Sequence, residues 1–205
     1  MLPSFLTIEK EVTAEIVEKK SKFIAVIYEV ETEEEALQKV DEVRKKHRDA
    51  RHNVFSYRIA NGAERASDDG EPSGTAGVPI LDILRGKKLQ NVLVVVTRYF
   101  GGILLGTGGL VKAYTDSTKQ ALLKANVIEK KLKVKLEIIV PYANNDKITH
   151  FLKTTNVSIV SNTYDEQAHT IVAIDECYKN DFEKTVQELS GRTAKFEIKD
   201  SNYYA

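Results

Sequence analysis

Ten of the eleven glycines in this 205-residue chain fall between Gly62 and Gly109. Glycine reaches positive φ and lets another backbone or a ligand approach closely, at an entropic cost that the interior of a helix or strand has no reason to bear. A chain that concentrates glycine so sharply must build a tightly turned region there and arrange its regular elements around it. Three stretches hold most of them: DDGEPSGTAG from Asp68 to Gly77, TRYFGG from Thr97 to Gly102, directly after the apolar run Asn91 to Val96, and LGTGGLVKAY from Leu105 to Tyr114.

The apolar pattern around that region predicts an α/β unit. Glu15 to Lys20 and Lys22 to Val30 read as strands joined tightly near Lys20-Ser21, the second apolar on both faces through Phe23, Ile24, Val26 and Ile27, and therefore central. Thr32 with Glu35 forms a capping box, and Ala36, Leu37, Val40 and Val43 recur at helical spacing until about Arg48. Asn53 to Ala60 alternates as a third strand ending at the Asn61-Gly62 turn signal. Glu64 to Gly74 shows no regular pattern. Thr75 to Leu84 and Thr107 to Ala125 are helices, Pro79 being tolerated only in a first turn, and Asn91 to Val96 is a short buried strand.

A different pattern follows. A strand ending at Val140, a helix through Ile148, Phe151 and Leu152, a hairpin of Val157 to Thr163 with Ala168 to Asp175, a helix capped by Asn180 with Glu183, and a strand from Ala194 to Ile198 give the order βαββαβ. That order is the pattern of a ferredoxin-like sandwich. Two domains are expected, residues 1–131 and 135–205, in an α+β protein. A chain of 205 residues that is 42% hydrophobic can bury both cores.

Thirty basic and thirty acidic side chains cancel, so any basic patch that meets nucleic acid must be local. The densest cluster is KKHRDARHN, Lys45 to Asn53. Its cations can simply complement a helix C-terminus. Alternatively Lys45, Lys46, Arg48, Arg51 and His52, with Arg58 and Lys112, contact nucleic acid, while Tyr57, Tyr99, Phe100 and Tyr114 offer stacking surfaces unless they are core. Cys177 stands alone, which excludes an intrachain disulfide, and no Cys/His spacing fits zinc. The N-terminus has no secretory pattern and no apolar run spans a bilayer, so a cytoplasmic protein without membrane insertion is expected.

The glycine-rich motifs allow two kinds of chemistry. Gly101, Gly102, Gly106, Gly108 and Gly109 lead onto a helix start, where unpaired N–H groups and the helix dipole favour an anion such as phosphate, with Arg98 and Lys112 to supply charge. The nucleotide signatures themselves fail: Thr107 and Gly108 stand where a P-loop needs Lys and Ser/Thr. Arg98 could equally pair with Asp68, Asp69 or Glu71. Those three acids could ligate a divalent cation, but adjacent carboxylates rarely converge and Asp-Gly-Glu-Pro is turn chemistry, so neither metal nor cofactor is expected. Ser73 with His52 as base is a hydrolase alternative that lacks the nucleophile-elbow sequence. Asp69, Glu71, Arg98 and the Gly101-Gly102 backbone are expected to line one cleft that receives an anion at the Gly106 to Gly109 helix start.

DDGEPSGTAG, VVVTRYFGG and LGTGGLVKAYT, in this order and spacing, resemble the IMPACT family in its two-domain bacterial, YigZ-like branch. The resemblance implies for the first domain the α/β sandwich of a small-subunit ribosomal protein's second domain, and for the second a ferredoxin-like fold similar to the last domain of elongation factor G. It also implies a role near translation. The expected function is a binding protein for RNA or the ribosome. The alternative is an enzyme or receptor for a small phosphate-containing ligand at the Asp68, Asp69, Glu71, Ser73, Arg98 and glycine site.

Overall fold

The computed structural model describes residues 4–155 and 157–204, with side chains up to Asp200. The chain divides into two compact units, one running to Glu129 and the other starting at Lys130. In the first, strands β1 (Ser4–Ile8), β2 (Val12–Glu18) and β3 (Ser21–Glu29) precede helix α1 (Glu33–Lys46). Strands β4 (His52–Arg58) and β5 (Glu64–Ser67), helix α2 (Gly77–Gly86), strand β6 (Val92–Tyr99) and helix α3 (Gly106–Lys124) follow.

The main sheet has the order β2-β3-β6-β4-β5, with every neighbouring pair antiparallel. β6 lies at its centre, and its period-two alternation sends successive side chains to opposite faces. Val92, Val94 and Val96 enter a core with Phe23, Ala25 and Ile27 of β3, Ile80 and Leu84 of α2, and Leu110, Ala113 and Tyr114 of α3. Leu93 and Val95 enter a second core with Ala36, Val40 and Val43 of α1. This is why β6 reads as a continuous apolar run: each fully buried side chain on either face contributes about 1.5–3 kcal/mol. Thr32 caps α1 by accepting from the Glu35 amide, while the Glu35 carboxylate reaches the Glu31 amide, one residue before the usual capping-box partner.

Several expectations need correction. Glu64 to Ser67 is not irregular but a short edge strand, paired with Phe55 to Arg58. β6 runs past Val96 to Tyr99 because β3 and β4 continue its ladders on both sides. β1 had no counterpart in the sequence reading, and β2 begins three residues before Glu15. The β2–β3 turn is made by Lys19 and Lys20, both at positive φ, in place of the usual Asn-Gly.

In the second unit the latter part of β7 (Val127–Val140) is followed by α4 (Tyr142–Thr154), β8 (Ser158–Tyr164), β9 (Ala168–Asp175), α5 (Lys179–Leu189) and β10 (Lys195–Tyr204). The order β10-β7-β9-β8, antiparallel throughout, is the 4-1-3-2 sheet of a ferredoxin-like domain. Ile148 and Leu152 of α4 and Phe182 and Val186 of α5 pack on Val134, Leu136, Ile138 and Val172 of the sheet. Asn180 is not the cap of α5, which starts one residue earlier after Tyr178, without a side-chain cap. No helix among the described residues is long and apolar enough to cross a membrane.

Candidate functional site: a cleft at the end of the central strand

Register builds the site. Arg98, near the end of β6, has Phe23 of β3 opposite it on one side and His52 of β4 on the other. It continues the row Val92, Val94, Val96, so its side chain points toward the α2/α3 layer, where the glycine-rich turn leads into α3. The Arg98 guanidinium sits over the buried Phe23 ring, 5.5 Å from its centroid, and 5.6 Å from that of Phe100. Its Nη1 donates to Glu71 Oε1 at 2.6 Å. Tyr114 of α3 donates to the same oxygen at 2.8 Å and meets the Phe23 ring edge-on. Burial pushes the Tyr114 phenol far up, and the neighbouring Glu71 carboxylate adds to it, so this hydroxyl remains a donor.

His52 completes the row. Its Nδ1 lies 2.8 Å from the carbonyl oxygen of Asp69, which can only accept, so Nδ1 carries the proton. Nε2 is then directed toward Glu71 Oε1 at 3.9 Å. Asp69 holds this carbonyl in place from a left-handed turn conformation, φ 46°, anchored by Arg44 at 2.6 Å and the Asn53 amide at 2.7 Å.

These groups surround a cleft of about 360 Å³. Buried Glu71, Arg98, Leu105 and Leu110 form its floor; Arg51, Pro72, Phe100, Leu104, Gly106 and Thr107 contribute the rim. α3 enters from one end with no acidic residue in its first turn and no side-chain cap, which leaves its first N–H groups for solvent or a ligand. Arg98 is 6% exposed, and its Nε has no hydrogen-bond partner among the described residues. An orphaned buried donor costs about 1–3 kcal/mol.

The structure thus brings Glu71, Arg98, His52, Arg51 and Gly106 together, and it separates other residues from them. The Asp68 carboxylate accepts from the amides of Gly74, Ala76 and Gly77 and so closes the turn into α2. Asp69 faces Arg44 and contributes only its carbonyl. The three acids therefore point to three different sets of donors. Ser73 is exposed and does not line the cleft. Gly101 packs against the Lys20 backbone, and Gly102, Gly108 and Gly109 flank the cleft without lining it. Arg58 is committed to Glu64 and the Leu89 carbonyl, while Lys45, Lys46, Arg48 and Lys112 are exposed outside the cleft. Tyr57 and Tyr114 are core, 1% and 0% exposed, so Phe100 is the stacking candidate that remains beside the cleft. Sequence reasoning missed Leu104, 82% exposed, and Thr107. The signal was present: three apolar residues, Ile103 to Leu105, inside a glycine turn.

Comparison with known proteins gives the same two-part division. The Impact N-terminal domain matches residues 19–122, which include every residue of the cleft, and a domain of unknown function, DUF1949, matches residues 138–192. The chain is 37% identical over 202 residues to the IMPACT family member YvyE of Bacillus subtilis, covering 98% of this chain and 92% of that one. It is 47% identical over 109 residues to the IMPACT family member YigZ of Escherichia coli, covering 51% and 53%. The Protein IMPACT homolog of Dictyostelium discoideum matches 44% of this chain at 40% identity and 28% of its own length. A crystal structure described as that of a hypothetical protein superposes with a TM-score of 0.68 at 31% identity, over 98% of this chain and 100% of that one.

Proposed function

The chain belongs to the IMPACT family, and from that premise we propose that it is a cytosolic binding protein for RNA or the ribosome, acting on translation through the cleft of its first unit. Membership supplies the process; the cleft supplies the chemistry. The observation that carries this reading is the buried Arg98, with an orphaned Nε, beside an α3 start that has neither cap nor acid. A buried cation and unpaired helix amides together favour a phosphate oxygen. Glu71 neutralises one charge of the cleft, and Arg51 at the rim restores a positive balance.

Fluorescence anisotropy with a single-stranded RNA at stepped salt concentrations tests the reading. Binding should weaken with salt as counterions are released. Arg51→Ala should weaken it and flatten the slope by about one phosphate contact, whereas neutralising Lys45, Lys46 and Arg48 together should do less, because they stand outside the cleft. Wild-type protein that binds no RNA even at low salt would contradict it.

A further inference from the structure

The anion reading leaves the kind of phosphate open, and the shape of the cleft narrows it. We propose that the cleft is a pocket for one terminal nucleoside monophosphate, either the phosphorylated end of an RNA or a free nucleotide, and not for the interior of a strand. This rests on the reading of the cleft as a phosphate site.

The lining combines charged and apolar groups: Arg98, His52 and the first turn of α3 supply charge and donors, and Phe100, Leu104 and Pro72 supply apolar surface, around a space of about 360 Å³. Small-molecule sites span roughly 300–1,000 Å³, so this one holds a single nucleotide-sized body. A phosphate that reaches the buried Arg98 from inside a strand must bring a nucleoside down on each side, which needs about twice that room. A terminal phosphate brings one.

Charge points the same way. A phosphate monoester carries about −1.5 to −2 at neutral pH. Against it stand two guanidiniums, Arg51 and Arg98, one carboxylate, Glu71, and the positive end of a 19-residue helix.

The cleft has a stacking surface in place. Phe100 is 40% exposed and flanked by the guanidiniums of Arg51 at 5.8 Å and Arg98 at 5.6 Å, which hold its ring beside the charged groups. Base–aromatic stacking of this kind is tolerant of sequence. Gly108 leaves the approach to the helix start open: a Cβ there would meet nothing within 4 Å, and its φ lies outside the left-handed region, so neither packing nor backbone geometry requires a glycine.

Calorimetric titration of the full chain with inorganic phosphate, adenosine, adenosine 5′-monophosphate, and hexa-adenylates bearing a terminal phosphate or none tests the proposal. Adenosine monophosphate should bind at least tenfold more tightly than phosphate or adenosine. The phosphorylated hexamer should exceed the unphosphorylated one by at least tenfold. If the free nucleotide matches the phosphorylated hexamer, a nucleotide suffices; if the hexamer is tighter, the RNA end is the ligand. Phe100→Ala should remove the advantage of adenosine monophosphate over phosphate, and Phe100→Trp should keep it. Equal binding of the two hexamers, or of phosphate and adenosine monophosphate, overturns the proposal while leaving the anion cleft standing. No binding of any probe at low salt overturns both.

Discussion

Arg98 and Glu71 meet at 2.6 Å with side chains only 7% and 3% exposed, so the floor of a solvent-accessible cleft is a buried ion pair. Removing one partner of such a pair leaves an uncompensated charge and costs about 3–5 kcal/mol, whereas replacing both is far cheaper. Arg98→Met and Glu71→Gln should each destabilise the first unit, with Glu71→Gln the milder because Gln still accepts from Tyr114. The double variant should cost less than the two singles combined, measured by urea unfolding. Strict additivity would show that the pair is not coupled.

Two glycines close in sequence should respond in opposite directions. A Cβ on Gly101 would lie 2.0 Å from the Lys20 carbonyl carbon, in the rigid β2–β3 turn, so Gly101→Ala must displace backbone and should cost about 1–3 kcal/mol or more. Gly108→Asp fills open space in the first turn of α3. It should stabilise by about 0.3 kcal/mol from helix propensity, with a further 0.3–1 from the dipole, and it should abolish phosphate binding by placing a like charge at the helix start. Thermal unfolding and titration of the same variant separate these effects. Loss of stability in Gly108→Asp would contradict the open geometry.

The second unit carries a pH-dependent cluster of its own. His169 Nδ1 lies 3.1 Å from Glu137 and Nε2 3.1 Å from Asp165, and the hydrogen bond to Glu137 raises its pKa above the ordinary 6.5, with Asp165 adding to it. A raised folded-state pKa means that the folded protein holds more protons than the unfolded one in this window. Its stabilisation is therefore complete below about 6.5 and is lost as pH rises through the folded value. The thermal midpoint of the second unit should fall as pH rises above about 6.5, and His169→Gln should flatten that dependence. An unchanged profile in the variant would contradict the assignment.

Residues 1–129 and 130–205 should each unfold cooperatively when expressed separately, because each unit has its own buried clusters. Calorimetry checks this. A second unit without a transition would show that its core is insufficient alone.

Much of this fold was legible because burial on two faces leaves a plain signature: Asn91 to Val96 and Lys22 to Val30 could only be inner strands. Glu64 to Ser67 was not, since four mostly polar residues carry no period and become a strand only when the β4 ladder is present to pair them. Of the site, the meeting of Arg98 with an acid was legible as one of three alternatives. The choice of Glu71 depends on which way each carboxylate turns: Asp68 is captured by the amides before α2 and Asp69 by Arg44, and neither outcome follows from sequence spacing. His52 entered the reading through its basic neighbours and as a base for Ser73, although what places it in the cleft is its register opposite Arg98.

The central claim is that Arg98 and the start of α3 together bind a phosphate. Titration of isotopically labelled full-length protein with inorganic phosphate, followed by NMR, observes both partners at once. The account predicts saturable shifts of the Arg98 Nε–H and of the Gly106 to Gly109 amides with one common dissociation constant, absent in Gly108→Asp. Shifts confined to the exposed Lys45 to Arg48 segment, or none at these positions, would contradict it.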